Sequence, residues 1–143
     1  METPEYLDEI RAELQGLESK MERLERLVEI GKELEKFPEK FMVAENKVPG
    51  CMSTVYIKEK LDENGKLHFK GYSNSFIVAG YVQILATALD SMKPKEVVAD
   101  AEPVIRKFIE DTGINVSMVN SRANAFKSIF NFMKKRASEH LGA

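Results

Sequence analysis

The chain has 143 residues, 43% hydrophobic and 31% charged, with a net charge of −2. That length suits one domain with a true core, and the composition excludes a disordered chain. The charge excludes a general pull on nucleic acid or anionic membrane, and the single cysteine excludes an internal disulfide or a metal cage built from several cysteines of one chain.

Residues 4–36 read as helix. Leu7, Ile10, Leu14, Leu17, Met21, Leu24 and Val28 recur at steps of three and four, an apolar stripe on a helical cylinder. Thr3 suits the N-cap and Pro4 the first turn. Gly16 and Gly31 are points where the helix could bend or stop. The stripe suits packing against the domain's own core, with pairing to another chain as the alternative. This region is acidic: residues 1–40 hold twelve acids and seven bases, against eleven and fourteen in 41–143.

Pro38 and the stretch to residue 50 break the helical pattern. A hairpin follows. Ser53–Leu61 is rich in β-formers, Lys66–Tyr72 alternates apolar and polar, and Asn64-Gly65 between them tolerates the positive φ of a tight turn. Ser73 is placed to cap the next helix, 74–91, which is apolar nearly all round and therefore predicted to be the buried core helix. Pro94–Ala99 reads as a short helix. Asp100 is placed to cap another through Thr112, with Gly113 as its left-handed stop. Asn120 or Ser121 is placed to cap a last helix to about His140, with Ala123, Phe126, Phe130, Met133 and Ala137 on one face. The predicted fold is α+β, a small antiparallel sheet covered by helices. No stretch is long and apolar enough to span a bilayer. METPEYLDEI lacks the basic and apolar regions of a secretory leader, so a cytoplasmic setting is expected.

Cys51 is the first candidate for chemistry. A lone cysteine is commonly an inert apolar residue. This one follows Val48-Pro49-Gly50, a turn rather than an element interior, where side chains are accessible. His68 and His140 are the available imidazoles. The first reads as a solvent-facing strand residue and the second as part of a fraying end, so a Cys–His hydrolase is disfavoured. Their spacing from Cys51 fits no metal site. No phosphate-binding glycine motif and no nucleophile elbow occur. Arg122 is the second candidate, since a cation is unusual at a helix N-terminus. It is either a solvated charge or a fixed cation that lowers a neighbouring thiol's pKa.

The run Asn46-Lys47-Val48-Pro49-Gly50-Cys51-Met52-Ser53-Thr54-Val55-Tyr56 resembles the SufE family, whose pattern around its active cysteine runs N-x-V-x-G-C-x-S-x-V-W. Glu29-Ile30-Gly31 with Leu34 is similar to that family's E-L-G-x-x-L. Gly71-Tyr72-Ser73-Asn74-Ser75-Phe76-Ile77-Val78-Ala79-Gly80 is similar to G-D-S-D-A-x-I-V-x-G, and Ser121-Arg122-Ala123-Asn124 to S-R-x-[NQ]. Tyr56 replaces the family's tryptophan, and Tyr72 and Asn74 replace two acids. The resemblance covers residues 20–143 and leaves 1–19 as an acidic N-terminal helical extension.

The resemblance implies a fold shared with U-type iron–sulfur scaffold domains. It further implies a sulfur acceptor that takes persulfide sulfur onto Cys51 from a PLP-dependent, SufS-like cysteine desulfurase, stimulates it, and delivers the sulfur to a SufB-like cluster scaffold. No cofactor is expected on this chain, PLP belonging to the desulfurase. No independent turnover is expected, nor any nucleic-acid or membrane partner, and the state implied is a monomer or weak homodimer. Matched site positions are Cys51 as acceptor, Arg122 as thiolate or persulfide stabiliser, and Asn46, Val48, Gly50, Ser53, Ser73, Asn74 and Ser121 as loop and partner positions. Val48, Met52, Val55 and Phe76 are candidates for an apolar shelter around the persulfide. Two other readings are a cluster scaffold, disfavoured by a single cysteine, and a non-catalytic adaptor docking partners through its acidic N-terminal helix.

Overall fold

A computed structural model describes residues 1–114 and 124–142. Its order is α1 (Glu5–Gly16), α2 (Lys20–Gly31), β1 (Val55–Leu61), β2 (Leu67–Ser73), α3 (Phe76–Leu89), α4 (Ala101–Thr112) and α5 (Ala125–Ser138), with short 3₁₀ turns at Glu39–Phe41 and Ala44–Asn46. The α+β expectation holds: β1 and β2 form a two-stranded antiparallel sheet, and helices cover its inner face.

The continuous helix expected over 4–36 is two helices. Ser19 accepts a hydrogen bond from the Glu22 amide at 3.1 Å and donates to the Glu22 carboxylate. This Ser-x-x-Glu contact begins a new helix and lets the chain turn after Gly16. The first half of the stripe packs into the protein's own core, with Leu7, Ile10 and Leu14 buried; past the break the buried face of α2 is Leu27 and Ile30 instead, and Met21 of the expected stripe is 63% exposed. Leu7, Ile10 and Leu14 of α1 are therefore not free to dock a partner helix, which weighs against the adaptor reading.

Helix α3 is the centre of the molecule, with ten buried residues between Val78 and Leu89. It packs on α2, β2, α1 and α5. Gly80 permits the closest crossing, since a Cβ there would lie 2.3 Å from the Leu27 carbonyl oxygen of α2. The cap of α3 is Ser75, which accepts from the Val78 amide, and not Ser73, whose hydroxyl accepts from the Ser75 amide. Asp100 makes no side-chain cap either. A π-helical turn over Glu96–Asp100 runs directly into α4, which Gly113 ends in the left-handed conformation as expected.

The strands pair in a register that sets Val55 opposite Ser73 and Leu61 opposite Leu67. Val55, Ile57, Leu67, Phe69 and Gly71 face inward. Of Asn64-Gly65, only Gly65 takes a positive φ, +77°. The turn is a longer one, in which the Asp62 carboxylate accepts the amides of Asn64 and Lys66. The Asp62 amide in turn donates to the Lys66 carbonyl.

Candidate functional site

Cys51 lies at the tip of a loop, Pro49–Thr54, that closes on the far end of the hairpin from Gly65. The Val48 amide donates to the Val55 carbonyl at 2.9 Å. On the other side the Thr54 amide donates to Asn74 Oδ1 at 3.0 Å, and the Asn74 amide donates back to the Thr54 carbonyl. Asn74 thus extends the ladder by one pair beyond Val55 and Ser73. Gly50 has φ +79°, and a Cβ added there would lie 3.9 Å from the Ser128 hydroxyl of α5. A residue with a Cβ is strained in that conformation.

The sulfur is half-buried and packs against the main core. Burial pushes the Cys51 thiol above its ordinary pKa, since a desolvated thiolate is disfavoured. Val48 and Val55 are buried around the loop's base. The expected apolar shelter does not include the other two candidates: Met52 is 79% exposed and Phe76 78% exposed. Both large apolar side chains stand in solvent. Two shallow clefts of about 280 Å³ each lie at this end. One is lined by Pro49, Ser128, Asn131, Phe132 and Lys135, the other by α2 and β2 residues together with Phe76.

Asn46 is 2% exposed, and its role is to anchor the approach to the loop. Its side chain donates to the Phe41 carbonyl and accepts from Arg136 of α5 at 2.8 Å. Arg136 also donates to the Glu45 carbonyl and ion-pairs with Glu59 of β1 at 3.0 Å. His140 reaches the same buried carboxylate at 2.8 Å, so it is a fixed partner and not a frayed end. Sequence reasoning missed this network. Its signals were an acid at the inward position 59 of an alternating strand and an arginine three residues after Met133 on the buried face of α5.

His68 faces outward from β2 as expected, and it also has partners. It bridges Asp62 at 2.7 Å and Asp90 at 2.8 Å. The Asp62 carboxylate, then that of Asp90, raise its pKa, and His68 in turn lowers that of Asp62.

The structure therefore brings Asn46, Val48, Gly50, Cys51, Ser53, Ser73 and Asn74 to one end of the hairpin. Ser121 and Arg122 lie outside the described residues. No group of residues suited to hold a metal ion occurs among the described residues.

The family model for the SufE Fe-S metabolism associated domain matches residues 8–137. The chain belongs to the SufE family. An uncharacterized SufE-like protein of Synechocystis is 42% identical over 115 residues, which cover 80% of this chain and 69% of that protein. A cysteine desulfuration protein SufE of Wigglesworthia glossinidia brevipalpis is 32% identical over 112 residues, 78% of this chain and 75% of that one. A solution structure of a hypothetical protein from Thermus thermophilus superposes with a TM-score of 0.72 and 14% identity, covering 99% of this chain and 100% of that one. That likeness supports the fold alone. Among the described residues no helix of this SufE-family chain is long and apolar enough to cross a membrane.

Proposed function

We propose that this protein is a sulfur acceptor and carrier that takes sulfane sulfur from a cysteine desulfurase onto Cys51. The observation that carries the reading is the chain's single thiol at the tip of a loop pinned on both sides. It is half-buried, is followed directly in the chain by the exposed Met52, and belongs to a SufE-family chain.

The chemistry is thiolate attack on a sulfur–sulfur bond. Cys51 loses its proton and its thiolate attacks the outer sulfur of the donor's persulfide. That forms the Cys51 sulfur–sulfur bond, breaks the donor's, and expels the donor's cysteine thiolate, which takes up a proton. The sulfane oxidation level passes across unchanged, so no external oxidant or reductant is consumed. A raised pKa keeps the resting thiol protonated and little prone to side reactions. Arg122 supplies the cation that favours the thiolate during transfer. Removal of the product sulfur frees the desulfurase for another cycle, and the cargo passes on to a cluster scaffold. The protein works without a cofactor of its own and in the cytoplasm.

Mass spectrometry after incubation with a desulfurase and cysteine tests the reading. A gain of about 32 Da on Cys51, one sulfur atom, is expected, absent in Cys51→Ser. An unmodified wild-type protein alongside unchanged desulfurase turnover would overturn it. Arg122→Ala is expected to slow loading while keeping the native circular dichroism spectrum, and unchanged loading kinetics would make Arg122 a solvated charge.

A further inference from the structure

The solvent face of the hairpin carries an arrangement that its own stability does not favour. Three cross-strand rows point outward: Tyr56 opposite Tyr72, Lys58 opposite Lys70, and Lys60 opposite His68. Like charges set directly opposite each other destabilise a β-ladder. Two of the three rows are of that kind when His68 is protonated, the form that Asp62 and Asp90 favour. Those two aspartates neutralise His68. The lysines are less well served. Lys70 has Glu35 at 3.8 Å, across an exposed pair, while Lys58 stands over the Phe41 ring at 5.5 Å. Among the described residues no carboxylate lies within ion-pair distance of Lys40, Lys47, Lys58 or Lys60. Glu35, Asp62 and Asp90 thus offset Lys70 and His68 on this face, and Lys58 and Lys60 are left as its unpaired cations among the described residues.

The tyrosine row has the composition of a contact surface. Tyr56 and Tyr72 are half-buried with ring centroids 6.3 Å apart, and Phe37 stacks on Tyr56 from the other side. Tyrosine contributes large contact area at low entropic cost and is enriched at interface centres. The row lies two residue pairs from the Thr54–Asn74 pair that closes the Cys51 loop, so a protein seated over Cys51 lies close to it. Positive charge around such a patch attracts a negative partner and repels wrong ones.

We propose that this hairpin face, with the Tyr56–Tyr72 row nearest the Cys51 loop and Lys58, Lys70 and Lys60 in the rows beyond it, docks an acidic patch on the protein that hands sulfur to Cys51. The proposal rests on the sulfur-carrier reading of Cys51. A nucleic-acid partner fits less well: the lysines are few, the patch holds no arginine, and the acidic helices of the same small domain repel a polyanion.

The test uses Lys58→Glu and Lys70→Glu separately in the full chain. Each converts a repulsive cross-strand pair into an attractive one, which offsets the exposed Glu35 contact of Lys70 and the Phe41 contact of Lys58, so the melting temperature should hold. Persulfide loading of Cys51 is followed from two donors, a cysteine desulfurase with cysteine and the small molecule cysteine persulfide, at low and at high salt. Each variant should lose about tenfold or more in loading efficiency from the desulfurase relative to cysteine persulfide, the scale of one charge pair in an interface. The salt dependence of loading by the desulfurase should also flatten. Variants that match wild type with the desulfurase overturn the docking proposal alone, as do variants that slow with both donors equally. Tight, salt-sensitive binding of a short single-stranded oligonucleotide, abolished by the same substitutions, would overturn it in favour of nucleic acid. A wild-type protein that accepts sulfur from neither donor overturns the carrier reading and the docking proposal with it.

Discussion

The two ends of the hairpin are built for opposite purposes. At the Gly65 end, Asp62 caps the turn and His68 ties Asp62 to Asp90 at the end of α3. The polar groups that shape this turn have near partners, and among the described residues no large apolar side chain stands exposed beside it. At the Cys51 end the backbone is equally well pinned, by Val48 with Val55 and by Thr54 with Asn74. The side chains at that end remain uncommitted: Met52 and Phe76 stand in solvent and the thiol is half-covered. One end spends its interactions on closing the fold. The other pins its backbone and leaves Met52 and Phe76 in solvent, which fits the proposed site on a loop held by a firm scaffold.

The strongest way to break this comparison is at the base of the Cys51 end. Arg136→Met leaves buried Glu59 with His140 as its remaining partner, and breaking a buried pair costs up to about 3–5 kcal/mol. Chemical denaturation should show that loss, and adding Glu59→Leu should restore much of it, because two apolar residues need no pairing. A loss that the second substitution leaves unchanged would mean that the network acts through Asn46 instead.

The two left-handed glycines make the sharpest paired test. Gly50→Ala and Gly65→Ala each force a Cβ into positive φ and should each cost about 1–2 kcal/mol. Only Gly50→Ala should also slow persulfide loading, measured under conditions where both variants are folded. Equal loading by the two would show that the Cys51 loop tolerates rearrangement.

Asn74→Ala removes the side-chain acceptor of the Thr54 amide and should cost about 1 kcal/mol. Faster hydrogen exchange at Thr54, with protection at Lys66 unchanged, would place the loosening at the Cys51 end alone.

The smallest effect belongs to His68. Its pKa is raised in the folded state, so its stabilising contribution is complete below the ordinary imidazole value of about 6.5. That contribution is lost as pH rises through the folded value. The raising partners are exposed carboxylates, which keeps the effect modest. The urea midpoint should fall slightly on going from mildly acidic to mildly alkaline pH, and His68→Gln should flatten that fall. Persulfide loading should keep its wild-type pH profile in the same variant.

Much of this was legible locally. Asn64-Gly65 marked the hairpin, Gly113 the end of α4, and the all-round apolar pattern of α3 its burial. Val48-Pro49-Gly50-Cys51 marked a turn bearing the thiol. The break between α1 and α2 was legible too, in Ser19-x-x-Glu22, but the apolar stripe runs through it in phase and conceals it. The expected shelter of Met52 and Phe76 failed because apolar character does not say whether a neighbour will cover a side chain.

The sequence by itself determined the elements, the core helix and the identity of the sulfur-bearing loop, because turn chemistry, helix periodicity and a lone cysteine are properties of neighbouring residues. The tertiary structure alone decided what anchors that loop and what surrounds it. Arg136 meets Asn46 across 90 positions of chain and His140 meets Glu59 across 81. Strand register alone set lysine against lysine on the outer face. Such pairings depend on how the elements pack, and no local pattern encodes that.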